Sequence, residues 1–354
     1  MSAEISEMVA ARIGEHARAH GLREVTLVLH GGEPLLAGEQ LIWSLVEATR
    51  KSAGPEVSVR VGIQTNGVGL TDSYLRLFDE LGVRVGVSLD GGPAEHNRHR
   101  RFASGRGSYA AVAAGLERIR QAQYRHLFSG LLCTVDLQND PVATYQALAG
   151  FDPPAIDFLL PHGTWDAPPA GRIPYQPETP YADWLIPVFN RWYYDPRTRV
   201  RIFDDIIRLV LSGKPGGDAI GLAPSVIVVI ETDGSIEQAD TLKATYAGAA
   251  ETGLHVTRDK FDAALLMPGI AARQIGVQAL SPECRRCRVH QVCGGGHYTH
   301  RYRSGTGFAN PSVYCPDLIR LIDHIRQVVE ADLAARRRRA RPLDGTEEAS
   351  KPPR

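Results

Sequence analysis

The strongest constraint on the fold is a strand-then-helix unit that recurs at roughly 30-residue spacing through the first 160 residues. After an amphipathic helix over 3–20, with Ile5, Met8, Val9, Ile13 and Ala17 at helical spacing, comes the short apolar run Val25–Leu29. It ends at His30-Gly31-Gly32-Glu33-Pro34. A helix over 38–51 leads to a strand at Val57–Gln64, and a helix over 71–80 leads to a strand at Val83–Leu89. A helix over 109–122 precedes a strand at Leu127–Val135, and a helix over 140–149 precedes Ile156–Leu160. Alternation of this kind predicts an α/β fold, a parallel sheet with helical crossovers, flat or curled into a partial barrel.

In such sheets ligands bind at the carboxyl ends of the strands. The polar and glycine residues fall there: His30–Pro34, Gln64–Gly67, Ser88–Gly91 and His162. Each group alone is ordinary turn punctuation. Four successive strand ends of this composition, with His and Glu among them, point to a site.

After residue 163 the texture changes. Residues 164–180 carry five prolines and read as an extended connector. Helices follow near 181–193 and 202–212, and Ser225–Gln238 reads as two strands around Asp233-Gly234. The expected domains are therefore 1–163, 164–224 and 225–335, with 336–354 a charged, disordered tail.

Four of the five cysteines crowd into the third of these: Cys284, Cys287, Cys293 and Cys315, with three glycines directly after Cys293. Thiolates gathered in one short window usually hold a metal or an iron–sulfur cluster, the alternative being buried free cysteines or a disulfide pair. Composition leaves zinc and iron both open. Cys133 reads as a strand-core residue. Forty basic residues balance forty acidic ones, so no charge excess favours nucleic acid or an anionic membrane. No apolar run reaches a membrane span, and the N-terminus lacks a secretion signal, so a cytoplasmic protein is expected. No P-loop or hydrolase nucleophile elbow is present.

Taken together, these motifs resemble the radical S-adenosylmethionine (SAM) enzymes that carry a SPASM extension. Gly31-Gly32-Glu33-Pro34 resembles that family's GGEP motif, and Gln64–Gly67 and Ser88–Gly91 resemble its next two strand ends. Leu29–Gly38, Asp157–Trp165, Glu231–Lys243 and Cys293–Asp317 look like the FxsB-type branch, peptide maturases associated with cyclophane cross-links. The resemblance runs over about residues 1–333. It implies a partial (β/α)6 barrel lacking its first strand, followed by a SPASM-like cysteine-rich extension. By resemblance, Gly31, Gly32, Glu33 and Pro34 bind the methionine amino group of SAM, and Asn66, Ser88 and Asp90 reach SAM or substrate. Cys284, Cys287, Cys293 and Cys315 would hold one auxiliary 4Fe-4S cluster, with zinc as the alternative.

Two departures qualify the resemblance. Family members have a C-x3-C-x2-C loop that holds the SAM-cleaving cluster, whereas no cysteine precedes Cys133. The chain is therefore expected to start inside the fold, through a start placed at an internal methionine or through truncation. The hairpin segment Val226–Leu242 also lacks the cysteines of a first auxiliary cluster, and His297 stands where the family has a further cysteine. The expected function is maturation of a ribosomal precursor peptide by hydrogen abstraction and side-chain cross-linking, possible only with the missing cluster. The alternative is a non-catalytic peptide-binding remnant with a structural cluster or zinc. No catalytic acid or base can be named from the sequence.

Overall fold

The structure, a computed structural model, describes residues 1–213, 220–225 and 227–340. Helix α1 (Ala3–Ala19) starts at Ser2, whose side chain accepts from the Ile5 amide, and then come β1 (Glu24–Leu29) and α2 (Glu39–Ala53). They are followed by β2 (Ser58–Thr65), α3 (Asp72–Leu81), β3 (Val83–Ser88), α4 (Pro93–His99) and α5 (Tyr109–Ile119). The unit closes with β4 (Phe128–Thr134), α6 (Pro141–Ala149), β5 (Ala155–Leu159), α7 (Pro180–Tyr193), β6 (Arg199–Val200) and α8 (Arg201–Ser212). The strands form one sheet in the order β1-β2-β3-β4-β5-β6, every pair parallel, with β1 and β6 at its edges.

All five expected strands are present and in sequence order. The sixth, β6, has two residues and is too short to carry a period. Helix α4 was also hidden, because Gly91-Gly92-Pro93 reads as loop, yet proline suits the first turn of a helix.

Alternation along the strands sorts the side chains. Val61, Ile63, Val83, Val85, Val87, Leu131, Cys133, Ile156 and Phe158 lie in one core cluster with helix residues such as Ile42, Val46, Phe78, Leu116 and Leu148. Between them, the other face carries Arg60, Gly62 and Gln64 on β2 and Arg84, Gly86 and Ser88 on β3. One face is thus an apolar seat for helices, and the other is polar and glycine-lined. Edge strand β1 follows the same rule with a weaker core: Val25, Leu27 and Leu29 are half-buried and Val28 is 55% exposed.

The hairpin forms as β7 (Val229–Ile230) and β8 (Ser235–Glu237), paired antiparallel, and β9 (Glu251–His255) adds a third strand that the sequence reading did not contain. Val226, inside the expected hairpin, lies outside the described residues. Four short helices lead into and through the cysteines: α9 (Phe261–Leu265), α10 (Pro268–Ala272), α11 (Pro282–Arg286) and α12 (His290–Cys293). Helix α13 (Cys315–Ala340) ends the described chain. It continues five residues into the segment expected as tail, and 341–354 lie outside the described residues.

Helices α7, α8 and α13 pack Trp184, Val188, Phe189, Phe203, Ile206, Ile322 and Ile325 into the main core. Helix α1 belongs to a second cluster, where Val9 meets Ile236, Val256 and Phe261 of the three-stranded unit. It also crosses α2 at close range. A Cβ on Gly14 would stand 2.2 Å from the Ser52 carbonyl oxygen. Replacing Gly14 by alanine would gain about 1 kcal/mol of helix propensity, but the overpacking should cost more. We expect Gly14→Ala to destabilise the protein by about 1–3 kcal/mol in chemical denaturation. A rise in the midpoint would show that the two helices separate freely.

Candidate functional site

The parallel register brings the carboxyl ends of β1 to β5 to one edge of the sheet. Beyond β1, Gly31 and Gly32 are exposed, Glu33 is half-buried and Pro34 is buried at the start of a 3-10 turn, Pro34–Ala37. The Gly31 amide donates to the neighbouring His30 Nδ1 (2.8 Å). Glu33 reaches sideways. Its Oε1 accepts from the Thr65 hydroxyl (2.6 Å) and the Leu35 amide (3.1 Å), and its Oε2 accepts from the Asn66 amide (2.8 Å). The carboxylate therefore ties the end of β1 to the end of β2, and of its roughly four acceptor sites about one is left. Asn66 turns its side-chain oxygen onto the Val68 amide (2.9 Å).

Ser88 accepts from Gln64 Nε2 (3.0 Å), a bond that spans adjacent strands on the polar face. Asp90 is 9% exposed and committed to the protein: it accepts from the Thr134 amide (2.9 Å) and pairs with Arg100. The backbone amide of Asp90 in turn donates to His96 Nδ1 (3.3 Å), leaving Nε2–H of that ring for Ser108 Oγ (3.0 Å). The Ser108 hydroxyl donates to the Arg100 carbonyl (3.0 Å). His96 is fully buried, and burial pulls its pKa down to about 4. Gly31–Pro34, Asn66, Ser88 and Asp90 therefore lie at three consecutive strand ends. Glu33 and Asp90 also work as braces, a role that strand-end position alone does not announce.

The cysteine segment is fastened to the far end of the sheet. Past β5, the Trp165 amide donates to the Tyr302 carbonyl (3.0 Å), and its indole donates to the Pro311 carbonyl (2.8 Å). Tyr314 donates to the Pro161 carbonyl (2.6 Å). His162, at the β5 end, has its ring centroid 6.3 Å from that of His297 and 6.2 Å from that of His300. Burial pushes the pKa of both His162 and His300 down.

Among the sulfurs, Cys284 and Cys293 are buried and Cys287 and Cys315 half-buried, and none is in a disulfide. Burial, and then the neighbouring Cys315, push the Cys293 thiol up to about 12. Burial, and then Cys284 and Cys287, push Cys315 up to about 11. The four thus crowd one space. Yet among the described residues, the groups of three or more ligand atoms within 4.8 Å of one another do not include these sulfurs. Tetrahedral zinc with bonds of about 2.3 Å would hold its sulfurs about 3.8 Å apart, so the spread is wider than a single zinc asks for. The turn Gly294–Gly296 has three positive φ values, 59°, 78° and 68°, and a Cβ on Gly294 would lie 1.7 Å from the Gly221 oxygen. Arg301, 8% exposed, fills the turn and donates to the carbonyls of Gly294 (2.6 Å), Gly295 (3.1 Å) and Gly296 (2.8 Å). A buried guanidinium beside buried thiols offsets the charge they would carry on binding iron. Arg301 gave no sequence signal, since nothing in its spacing marks it.

The pH response of the strand-end brace follows from His96. Its folded pKa lies below its unfolded value of 6.5, so the unfolded chain binds the extra proton. The stabilisation is present above about pH 6.5 and is lost as pH falls towards about 4, worth up to about 3 kcal/mol. Denaturation across that window should show a steeper acid loss for the wild type than for His96→Asn. Parallel profiles would contradict the assignment.

Residues 4–141 match the Radical SAM superfamily model. A serine-type anaerobic sulfatase-maturating enzyme of Klebsiella pneumoniae is 26% identical over 316 residues, 85% of this chain and 76% of that protein. A cysteine-type anaerobic sulfatase-maturating enzyme of Clostridium perfringens is 24% identical over 304 residues, 84% of this chain and 79% of that protein. The solved structure of native anSMEcpe with bound AdoMet and Cp18Cys peptide superposes with a TM-score of 0.79 at 21% identity, covering 95% of this chain and 92% of that one. The shared α/β fold and the family match agree on the same region. The chain thus matches the Radical SAM superfamily model over residues 4–141 and is similar over most of its length to anaerobic sulfatase-maturating enzymes.

Proposed function

We propose that this chain is the core and auxiliary-cluster portion of a radical SAM/SPASM maturase that modifies a side chain of a peptide. The observation that carries this reading is the seating of the four-cysteine segment just past the carboxyl end of β5, through Tyr314 on Pro161 and Trp165 on Pro311, in the sheet whose β1 carboxyl end bears Gly31–Pro34. Radical SAM proteins use a 4Fe-4S cluster and SAM, and SAM when reductively cleaved supplies hydrogen abstraction. In this chain Gly31, Gly32, Glu33 and Pro34 would hold the SAM amino group, with the remaining acceptor site of Glu33 and nearby carbonyls as its partners. Asn66 and Ser88 would line the same pocket. Asp90 would keep the β3 end in place through Arg100 and Thr134.

Cys284, Cys287, Cys293 and Cys315 suit an auxiliary 4Fe-4S cluster better than zinc, because their sulfurs spread wider than a zinc tetrahedron. The sulfatase-maturating relatives and the peptide complex of anSMEcpe support a peptide as partner. The finer reading, an FxsB-type cross-link in a ribosomal precursor peptide, rests on the stretches Leu29–Gly38, Asp157–Trp165, Glu231–Lys243 and Cys293–Asp317. No helix among the described residues is long and apolar enough to cross a membrane.

A second reading is a peptide-binding protein that uses no radical chemistry. These 354 residues hold the strand ends and the four cysteines but no C-x3-C-x2-C, so a test of the first reading has to supply that motif. The test joins a C-x3-C-x2-C-bearing strand to residue 1, supplies reductant and SAM, and assays 5′-deoxyadenosine and peptide mass. Release of 5′-deoxyadenosine with loss of two hydrogens from the peptide is the expected result. Peptide binding by a cluster-loaded protein that never cleaves SAM would leave the binding reading in place.

A further inference from the structure

Away from the strand ends, α1 carries two histidines that no part of the proposed reaction uses. His16 and His20 stand four residues apart at the end of the helix, so they share one face, and their ring centroids are 4.5 Å apart. Asp262, in the first turn of α9, reaches between them. Its Oδ1 lies 2.9 Å from His16 Nδ1 and 2.8 Å from His20 Nε2. Together these three atoms form one of the groups among the described residues whose ligand atoms all fall within 4.8 Å of one another.

Two features separate this cluster from an ordinary surface ion pair. First, His16 Nδ1 is buried and makes no hydrogen bond despite its closeness to the carboxylate, so the contact is too bent to satisfy it. Second, the cations nearby are already taken: Lys260 and Arg12 both pair with Glu15, at 2.7 Å each. The three side chains therefore converge on one point, while the neighbouring cations are committed to Glu15. Two imidazole nitrogens and one carboxylate oxygen form a donor set for zinc and related transition ions rather than for calcium or magnesium. Metal–ligand bonds of about 2.0–2.1 Å in a tetrahedron place donors about 3.3 Å apart. The two observed separations need to open by about half an ångström, which side chains 28–43% exposed can do.

We propose that His16 Nδ1, His20 Nε2 and Asp262 Oδ1 form a zinc-class divalent metal site, with its remaining position open to water. The site clips the first helix to the three-stranded unit. It bridges residues over 240 positions apart in sequence, beside the Arg12 bond to the Val256 carbonyl (2.9 Å) and the contact of Val9 with Phe261 and Val256. An ion bound there stabilises the folded chain because the unfolded chain does not hold the three ligands together. This inference does not depend on the proposed reaction.

The test uses the full chain with iron and sulfide first loaded, so that zinc is read as a difference between proteins. Wild type, His16→Gln, His20→Gln and Asp262→Asn are incubated with zinc chloride, desalted and assayed for zinc per chain. The wild type should retain one more zinc than each variant, with affinity falling more than about 100-fold in the variants, beyond the loss of an outer-shell partner. Zinc should also raise the melting temperature of the wild type alone. Equal zinc in wild type and variants would overturn the proposal. So would a zinc-induced rise in melting temperature that persists in Asp262→Asn, the substitution closest in shape.

Discussion

The carboxylate of Asp317 is the joint on which the arrangement of cluster segment and sheet depends. It lies two residues after Cys315, is 3% exposed, and accepts from the backbone amides of Tyr181 (2.8 Å) and Ala182 (3.1 Å) at the start of α7. A negative charge at a helix N-terminus satisfies amides that the helix itself leaves unpaired. The same carboxylate faces the buried guanidinium of Arg172 at 3.5 Å, and Arg172 donates onward to the Val313 carbonyl (3.2 Å). Burial pushes the Asp317 pKa up, and the amides and Arg172 oppose that push. The proline-rich connector and the α7 that follows it thus meet the start of α13, far away in sequence, on one side chain. Removing one partner of a buried pair of this kind costs about 3–5 kcal/mol, because the other charge is stranded.

The same economy governs the strand ends. Parallel sheets align the carboxyl ends of their strands, so the topology alone gathers Gly31, Asn66, Ser88, Asp90 and His162 at one edge. What ties the strands together at that edge is a set of side chains turned sideways. Glu33 bridges to Thr65 and Asn66, Gln64 bridges to Ser88, and Asp90 bridges to Thr134. On the cysteine side Arg301 does the corresponding work, drawing three glycine carbonyls around one buried guanidinium.

Much of this was legible in the sequence, and the illegible parts share a cause. The five longer strands and their crossover helices announced themselves through period and punctuation, because a strand buried on its helix-facing side needs an apolar residue at every second position. Strand β6 has two residues and α4 hides behind Gly91-Gly92, so neither offered a period. Strand β9, Glu251–His255, alternates weakly and is only half-buried, which left it unseen. At the site, residue types at strand ends were readable, whereas the partners of Glu33 and Asp90 were set by register and by Arg100, ten residues on. Long-range joints such as Asp317 with Tyr181, 136 residues apart, leave no local trace.

The central claim is that Cys284, Cys287, Cys293 and Cys315 hold one 4Fe-4S cluster against the strand ends. Iron, acid-labile sulfide and zinc counted per chain after anaerobic reconstitution, with Mössbauer spectroscopy of the iron, test it most directly. The account predicts about four irons and four sulfides in a single cubane environment, falling away in Cys293→Ser. About one zinc bound through these sulfurs, with no iron retained, would contradict it and make the segment a structural ribbon.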